Sequence, residues 1–303
     1  MVYTVTLSPA LDYVMQLEKL CFEDINRSYF ENLRYGGKGI NVSVVLTRLG
    51  VENKALGLIA GFTGEQLEKM LVKEGVNCSF LKLKSGNTRI NVKIKAQKEL
   101  DINARGPAVS KEETEAFFKM TDEISAGDYL VLAGSVPENL PDSIYGQILD
   151  KLKDRGVNFV VDATGNSLTC SLKYKPFLIK PNNYELGELF GVSINTDEEA
   201  VTYAKKLQRM GAKNVLVSRG SKGAVLLDES GTATSIGAVK GEVVNTVGCG
   251  DSMVAGFLAG YIEKGDYKYA LRLGAACGNA TAFCDALAEA GDIQNVFKKI
   301  KIN

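Results

Sequence analysis

Asn245-Thr246-Val247-Gly248-Cys249-Gly250-Asp251-Ser252 runs directly into the small and apolar residues Met253 to Tyr261. Two glycines flanking one residue at the start of a helix let backbone N–H groups approach a ligand. The helix dipole adds positive potential there, so the turn suits an anion. Asp251 stands in the first helical turn beside that anion site. A carboxylate so placed can take a proton from a hydroxyl while the adjacent N–H groups hold charge on an electrophilic phosphoryl group. Taken alone, the stretch leaves a second reading open, a glycine loop with Asp251 as an ordinary N-terminal cap.

Other stretches carry polar groups of a related kind. Tyr35-Gly36-Gly37-Lys38-Gly39-Ile40-Asn41 is a glycine-rich turn ahead of a helical run, Val42 to Leu49, closed by Gly50. It lacks the Gly-x4-Gly-Lys-Ser/Thr spacing of a Walker A loop. Asn182 and Glu185 are spaced to project from a helix start, where they can order water around a magnesium ion. Asp12 follows a β-rich run, Tyr3 to Leu7, that stops at Ser8-Pro9. It is a candidate for binding hydroxyls, or else a solvated turn aspartate.

The elements that must position these groups form an α/β pattern. Ala55 to Gly61, Tyr129 to Leu132, Asn158 to Val161, Phe177 to Ile179 and Asn214 to Val217 read as short buried strands. Helical stretches such as Gly64 to Lys73, Ser143 to Arg155 and Asp197 to Met210 lie between strands, which implies a parallel sheet covered on both faces. Polar residues follow the strand ends: Gly134-Ser135, Asp162, Lys180-Pro181-Asn182 and Ser218-Arg219-Gly220. All would emerge on one rim, where open α/β sheets bind ligands. Thr88 to Lys95 alternates instead, with Arg89, Asn91, Lys93 and Lys95 on one side and Ile90, Val92 and Ile94 on the other. This places it in a separate small sheet with the segment from Tyr13 to Leu33, its polar side facing either a ligand or solvent.

Composition narrows the function class. Lys+Arg and Asp+Glu each count 36, so nothing supports a nucleic-acid or anionic-membrane partner. No apolar run is long enough to span a bilayer, and the six cysteines have no metal-ligand spacing, so a cytoplasmic protein with free thiols is expected. With no histidine, Ser-His-Asp and Cys-His catalysis are excluded, and proton transfer falls to Asp, Glu, Lys, Tyr or Cys.

Gly36-Gly37-Lys38-Gly39-Ile40-Asn41 and Thr246-Val247-Gly248-Cys249-Gly250-Asp251, in that order, resemble the two signatures of the PfkB (ribokinase-like) carbohydrate kinases. Asn182-Asn183-Tyr184-Glu185 is similar to the family's NxxE motif. The resemblance covers nearly the whole chain. It implies a single domain over 1–303 with a three-layer α/β/α fold, a mostly parallel central sheet and a small β-sheet lid from segments near 13–33 and 87–107. Leu7 to Asp12, Thr88 to Lys93 and Gly134 to Pro137 resemble the branch acting on phosphorylated ketohexoses, closest to its 1-phosphofructokinases. That favours fructose 1-phosphate as acceptor, with tagatose 6-phosphate and fructose 6-phosphate as runners-up.

The resemblance implies that Asp251 is the base and that the N–H groups of Gly248, Cys249 and Gly250 stabilise the transferring phosphoryl of ATP, with Mg2+ bridging the nucleotide phosphates. Asp12, Gly37, Lys38 and Asn41 would hold the sugar, with Asn91 and Ser135 on the same side. Arg89 would take the substrate phosphate, Arg27 and Arg105 being further candidates. Lys180, Asn182, Glu185, Ser218, Gly220 and Gly223 would line the nucleotide side, with Asn279 near the adenine and Glu185 acting on the metal through water. K+ is a further cation to consider, and the lid sheet could clasp a homodimer.

Two residues depart from the family pattern. Cys249 replaces the usual alanine at a helix N-terminus, where thiolate is favoured, so either thiol sensitivity or a small buried residue is expected. Arg219 stands where a leucine is common, with no account from sequence. A non-catalytic sugar-phosphate-binding regulator is the alternative of another class, and the intact Gly248 to Asp251 turn argues against it. A dinucleotide-binding oxidoreductase is excluded because Met253 replaces the third glycine of GxGxxG.

Overall fold

Strands that are apolar on both sides of the pleat need cover on both faces, and this chain supplies it with helices in two layers. The structure, a computed structural model, describes residues 1–301. In chain order the elements are β1 (Val2–Thr6), β2 (Ala10–Gln16), β3 (Phe30–Gly36), α1 (Lys38–Arg48), β4 (Asn53–Ala60), α2 (Gly61–Lys73), β5 (Cys78–Leu83), β6 (Arg89–Lys95) and β7 (Glu99–Ile102). They continue with α3 (Lys111–Met120), β8 (Tyr129–Ala133), α4 (Ile144–Leu152), β9 (Asn158–Asp162), α5 (Gly165–Leu172), β10 (Leu178–Ile179), α6 (Asn183–Phe190) and α7 (Asp197–Arg209). The chain closes with β11 (Asn214–Ser218), β12 (Ala224–Leu227), β13 (Ala233–Ile236), α8 (Cys249–Lys264), α9 (Tyr267–Ala282) and α10 (Ala290–Phe297).

The main sheet has the order β13-β12-β11-β10-β9-β8-β1-β4-β5. It is parallel from β5 to β11 and antiparallel at β12 and β13. Along β8, Leu130 and Leu132 pack into one core with α3 to α7, while Val131 and Ala133 pack into the other with α1, α8, α9 and α10. This is the expected ribokinase-like α/β architecture. No helix among the described residues is long and apolar enough to cross a membrane.

The second sheet has the order β3-β2-β6-β7, with β2 and β6 parallel and the outer pairs antiparallel. Its strands start and stop outside the expected segment, since β2 begins at Ala10 and β3 runs to Gly36. Asp12 lies past the end of β1 as expected, but as a buried residue within β2 of this sheet and not in a solvated turn. Helix α1 also starts earlier than its apolar run suggests, because Gly37 adopts φ 129 and its carbonyl accepts the Asn41 N–H at 2.9 Å. Lys38 and Asn41 thus lie in the first helical turn, at the rim of the main sheet.

Candidate active site

Helix α8 is buried along one side after another, from Asp251 to Gly260, which fixes the end that carries the glycine turn. Gly248 precedes it with φ 82, and a Cβ there would lie 2.6 Å from the Leu287 side chain. Both the turn and the close approach of Leu287 require glycine. Asp251 follows in the first turn, only 6% exposed, and its Oδ2 accepts a 2.7 Å hydrogen bond from Asn41 Nδ2. Burial pushes its pKa up to about 6, and the nearby Asp162 charge adds to the rise. The Asn41 bond and the ammonium groups of Lys38 and Lys180 oppose it.

Asp162 ends β9 and is 2% exposed. Lys180 Nζ lies 3.3 Å from its Oδ1 and Lys38 Nζ 3.5 Å from its Oδ2, so one carboxylate yokes two lysines from different elements. Burial pulls the Lys38 ammonium down, but Asp162, Asp251 and Glu185 outweigh this and hold it above the ordinary lysine value. Both ammonium groups stand near the N-terminus of α8, where they offset part of the charge of Asp162, Asp251 and Glu185 and can also meet an anion.

The small sheet faces this rim with its polar side. Arg34, Asp12 and Asn91 lie in one cross-strand row, and Asn91 Nδ2 donates to Asp12 Oδ1 at 2.8 Å. Arg89 Nη2 donates to the Ser8 carbonyl at 3.0 Å, and Lys93 Nζ sits 3.0 Å from Asp101. Between the sheets lies a cavity of about 950 Å3. Asp12, Gly37, Lys38, Asn41, Arg89, Ser135, Gly248, Gly250 and Asp251 all line it.

Lys180, Asn182, Glu185 and Ser218 line the same cavity. Asn182 caps α6: its Oδ1 accepts from Tyr184 N at 2.9 Å and Glu185 N at 2.8 Å, while Glu185 Oε2 accepts from Asn182 N at 2.8 Å. The Asn-x-x-Glu spacing is thus a reciprocal cap as well as a cavity wall. Among the described residues no group of three or more His, Cys, Asp or Glu is placed to hold a metal ion. The donors present fit a hydrated divalent cation beside phosphate oxygens, which Glu185 would hold through water with the carboxylate oxygen not used in the cap.

An open site with a buried carboxylate on an anion-binding helix end, two yoked lysines and a polar facing sheet fits phosphoryl transfer to a hydroxyl. Comparison with known proteins agrees. The pattern of pfkB family carbohydrate kinases matches residues 9–290. The chain belongs to the pfkB family of carbohydrate kinases. It is 43% identical over 302 residues to the 1-phosphofructokinase of Bacillus subtilis (strain 168), covering 100% of this chain and 99% of that protein. It is 34% identical to the D-tagatose-1-phosphate kinase of Bacillus licheniformis, covering 100% and 99%. Phosphofructokinase-2 from Escherichia coli in complex with substrates and products matches with TM-score 0.93 and 28% identity, over 98% of each chain. The same protein is known with potassium, at TM-score 0.91, and in a tetrameric inhibited form, at TM-score 0.90.

Several residues expected at this pfkB site lie elsewhere. Arg27 is exposed on the β2–β3 connection, and Arg105 is exposed and 3.3 Å from Glu138; neither lines the cavity. Asn91 stands behind Asp12 and acts on it through the hydrogen bond. Gly220 and Gly223 shape the β11–β12 hairpin, where Gly223 has φ 89 and a Cβ would strike the Ile236 carbonyl. Asn279 is used at both ends of its amide, donating to Ala275 O at 2.7 Å and accepting from Val239 N at 2.9 Å, away from the cavity wall.

Cys249 does not line the cavity either; its Sγ donates toward the Asn245 carbonyl at 3.6 Å. Burial and the neighbouring Asp251 charge push its thiol up to about 11, against its own backbone N–H. Desolvation thus outweighs the helix dipole and disfavours the thiolate, which supports the second reading, a small and largely buried residue. Arg219 points away from the site, paired with Asp197 and donating to Asn195 O at 2.7 Å, so it ties the hairpin to the start of α7. Asp162, Arg34 and Lys93 were not among the expected ligands. Asp162 was visible only as one of a row of polar strand ends, and Lys93 only through the alternation of β6.

Proposed function

We propose that this pfkB kinase transfers the terminal phosphoryl of ATP to the free primary hydroxyl of fructose 1-phosphate, giving fructose 1,6-bisphosphate. The observation that carries the reading is Asp251, buried at the N-terminus of α8 with Oδ2 held by Asn41. Its Oδ1 takes the acceptor's hydroxyl proton as that oxygen bonds to phosphorus and the bond to the ADP leaving group breaks. When bound, ATP supplies the phosphoryl group and Mg2+ neutralises its charge. The backbone N–H groups at 248–250 hold the equatorial oxygens, and Lys38 and Lys180 offset charge on the phosphates. Asp12, fixed by Asn91, orients the sugar hydroxyls, and Arg89 holds the acceptor phosphate.

The small sheet serves as a lid that excludes water from this chemistry. Its outer side carries Ile90, Leu100 and Ile102 in the open, which supports a second copy of the chain against it, as does the tetrameric form of the E. coli relative. The potassium complex of that relative supports K+ as an additional cation. Free thiols support a cytoplasmic setting.

The B. licheniformis relative favours tagatose 1-phosphate as the second acceptor, since it keeps the phosphate on the same carbon. A coupled ADP-release assay with ATP and Mg2+ compares fructose 1-phosphate, tagatose 1-phosphate, tagatose 6-phosphate, fructose 6-phosphate and fructose. The highest kcat/KM is expected with fructose 1-phosphate. A preference for another phosphosugar overturns the acceptor alone, and no turnover with any overturns the kinase reading.

A further inference from the structure

The connector between α9 and α10, residues 283–289, touches both the small sheet and the glycine turn. From the sheet, Arg34 donates through Nη1 to the Asp285 carbonyl and pairs through Nη2 with its carboxylate. The same Asp285 carbonyl accepts from Asn245 Nδ2 at 3.1 Å. Asn245 in turn accepts the Val247 N–H at 3.1 Å on its Oδ1, and Val244 and Asn245 both donate to the Ala282 carbonyl. Two residues on, Leu287 fills the space beside Gly248 that forbids a side chain there. The far end of the connector is independently fixed, since Arg48 of α1 donates to the carbonyls of Leu287 at 2.6 Å and Ala288 at 3.2 Å. The near end, at Asp285, is held from the sheet by Arg34.

We propose that Arg34 and Asp285 form a latch between the lid sheet and the phosphoryl-binding turn, so that the N–H groups at 248–250 are set for transfer only while β3 lies against the connector. Neither residue need touch the reacting atoms; both are positioning residues. Arg34 on β3 stands directly across from Asp12 on β2, so the strand that carries the latch is hydrogen-bonded to the strand that presents the sugar-binding carboxylate. Displacing β3 breaks two charge-assisted bonds at once and returns the half-exposed Asp285 carboxylate to water. The turn then keeps its bonds to the Asp285 and Ala282 carbonyls and its contact with Leu287, but loses its tie to the sheet. Sugar binding, which draws on Asp12, and organisation of the anion site are coupled through this pair.

The inference uses the kinase reading for its kinetic arm only. Arg34→Ala, Asp285→Ala and the double variant are compared in steady-state kinetics, and backbone amide exchange is followed over 243–249 in the absence of any sugar. Arg34→Ala removes both bonds and is expected to lower kcat about tenfold with the KM for ATP little changed. Asp285→Ala, which keeps the carbonyl bond, lowers it less, and the double variant is no worse than Arg34→Ala because the pair acts as a unit. Amide exchange over 243–249 is expected to quicken in both single variants. Unchanged exchange, or a raised phosphosugar KM in Arg34→Ala at normal kcat with Asp285→Ala unaffected, overturns the latch and leaves Arg34 as a sugar ligand. If the wild-type chain turns over no acceptor, the kinase reading fails while the exchange result still decides the latch.

Discussion

Asn41 Nδ2 and Asp251 Oδ2, 2.7 Å apart, join the first turn of α1 to the first turn of α8. The bond aligns the base and favours its ionised form, against a burial that raises its pKa to about 6. A protonated Asp251 cannot accept the acceptor's proton, so kcat/KM should fall as pH drops through about 6. Asn41→Ala removes one of the influences that lower the value, so its acid limb should move to higher pH. Identical limbs in pH–rate profiles of the two proteins would separate Asn41 from the base.

Asp251→Asn should lower kcat by about 10²- to 10⁴-fold while nucleotide binding survives. It should also stabilise the fold near neutrality. The folded pKa lies above the unfolded value of 3.8, so the ionised carboxyl opposes folding; that cost is absent below 3.8 and complete above about 6. Thermal melts should show Asp251→Asn above wild type at alkaline pH, by about 1–3 kcal/mol, with the difference closing under acid conditions. A gap that persists at low pH would contradict this titration.

Arg89→Ala should raise the KM for the phosphosugar about tenfold or more and that for ATP little, the loss expected for a charged hydrogen bond to phosphate. Arg89 lines the cavity from β6, its guanidinium anchored on the Ser8 carbonyl. Equal effects on both substrates would move it out of the phosphate site.

Arg219→Leu should leave kcat and the KM for ATP within about twofold of wild type, because its side chain turns toward α7. Asp197 remains partly solvated in the first turn of α7, where the helix dipole favours it, and Asn195 O keeps the Lys222 ammonium at 3.2 Å. Melting should shift only slightly. A large rise in the KM for ATP would place Arg219 on the nucleotide.

The amino-acid sequence by itself determined what is local in the chain. The glycine turn before Asp251, the alternation of β6, the helix start at Asn182 and the apolar strands are set by residues within a few positions of each other, so their chemistry can be read directly. That was enough for the sheet class, the family and the catalytic turn of the cavity wall. Tertiary structure decided which charges meet. Asp162 joins lysines from α1 and the end of β10, and Arg34 finds Asp285 across 251 positions. It also decided burial: desolvation at Cys249 disfavours the thiolate, and Asn279 and Gly223 have contacts within the scaffold, a hydrogen-bonded amide and a tight hairpin. Desolvation and ion pairing depend on every neighbour in space, and only the folded chain supplies those neighbours.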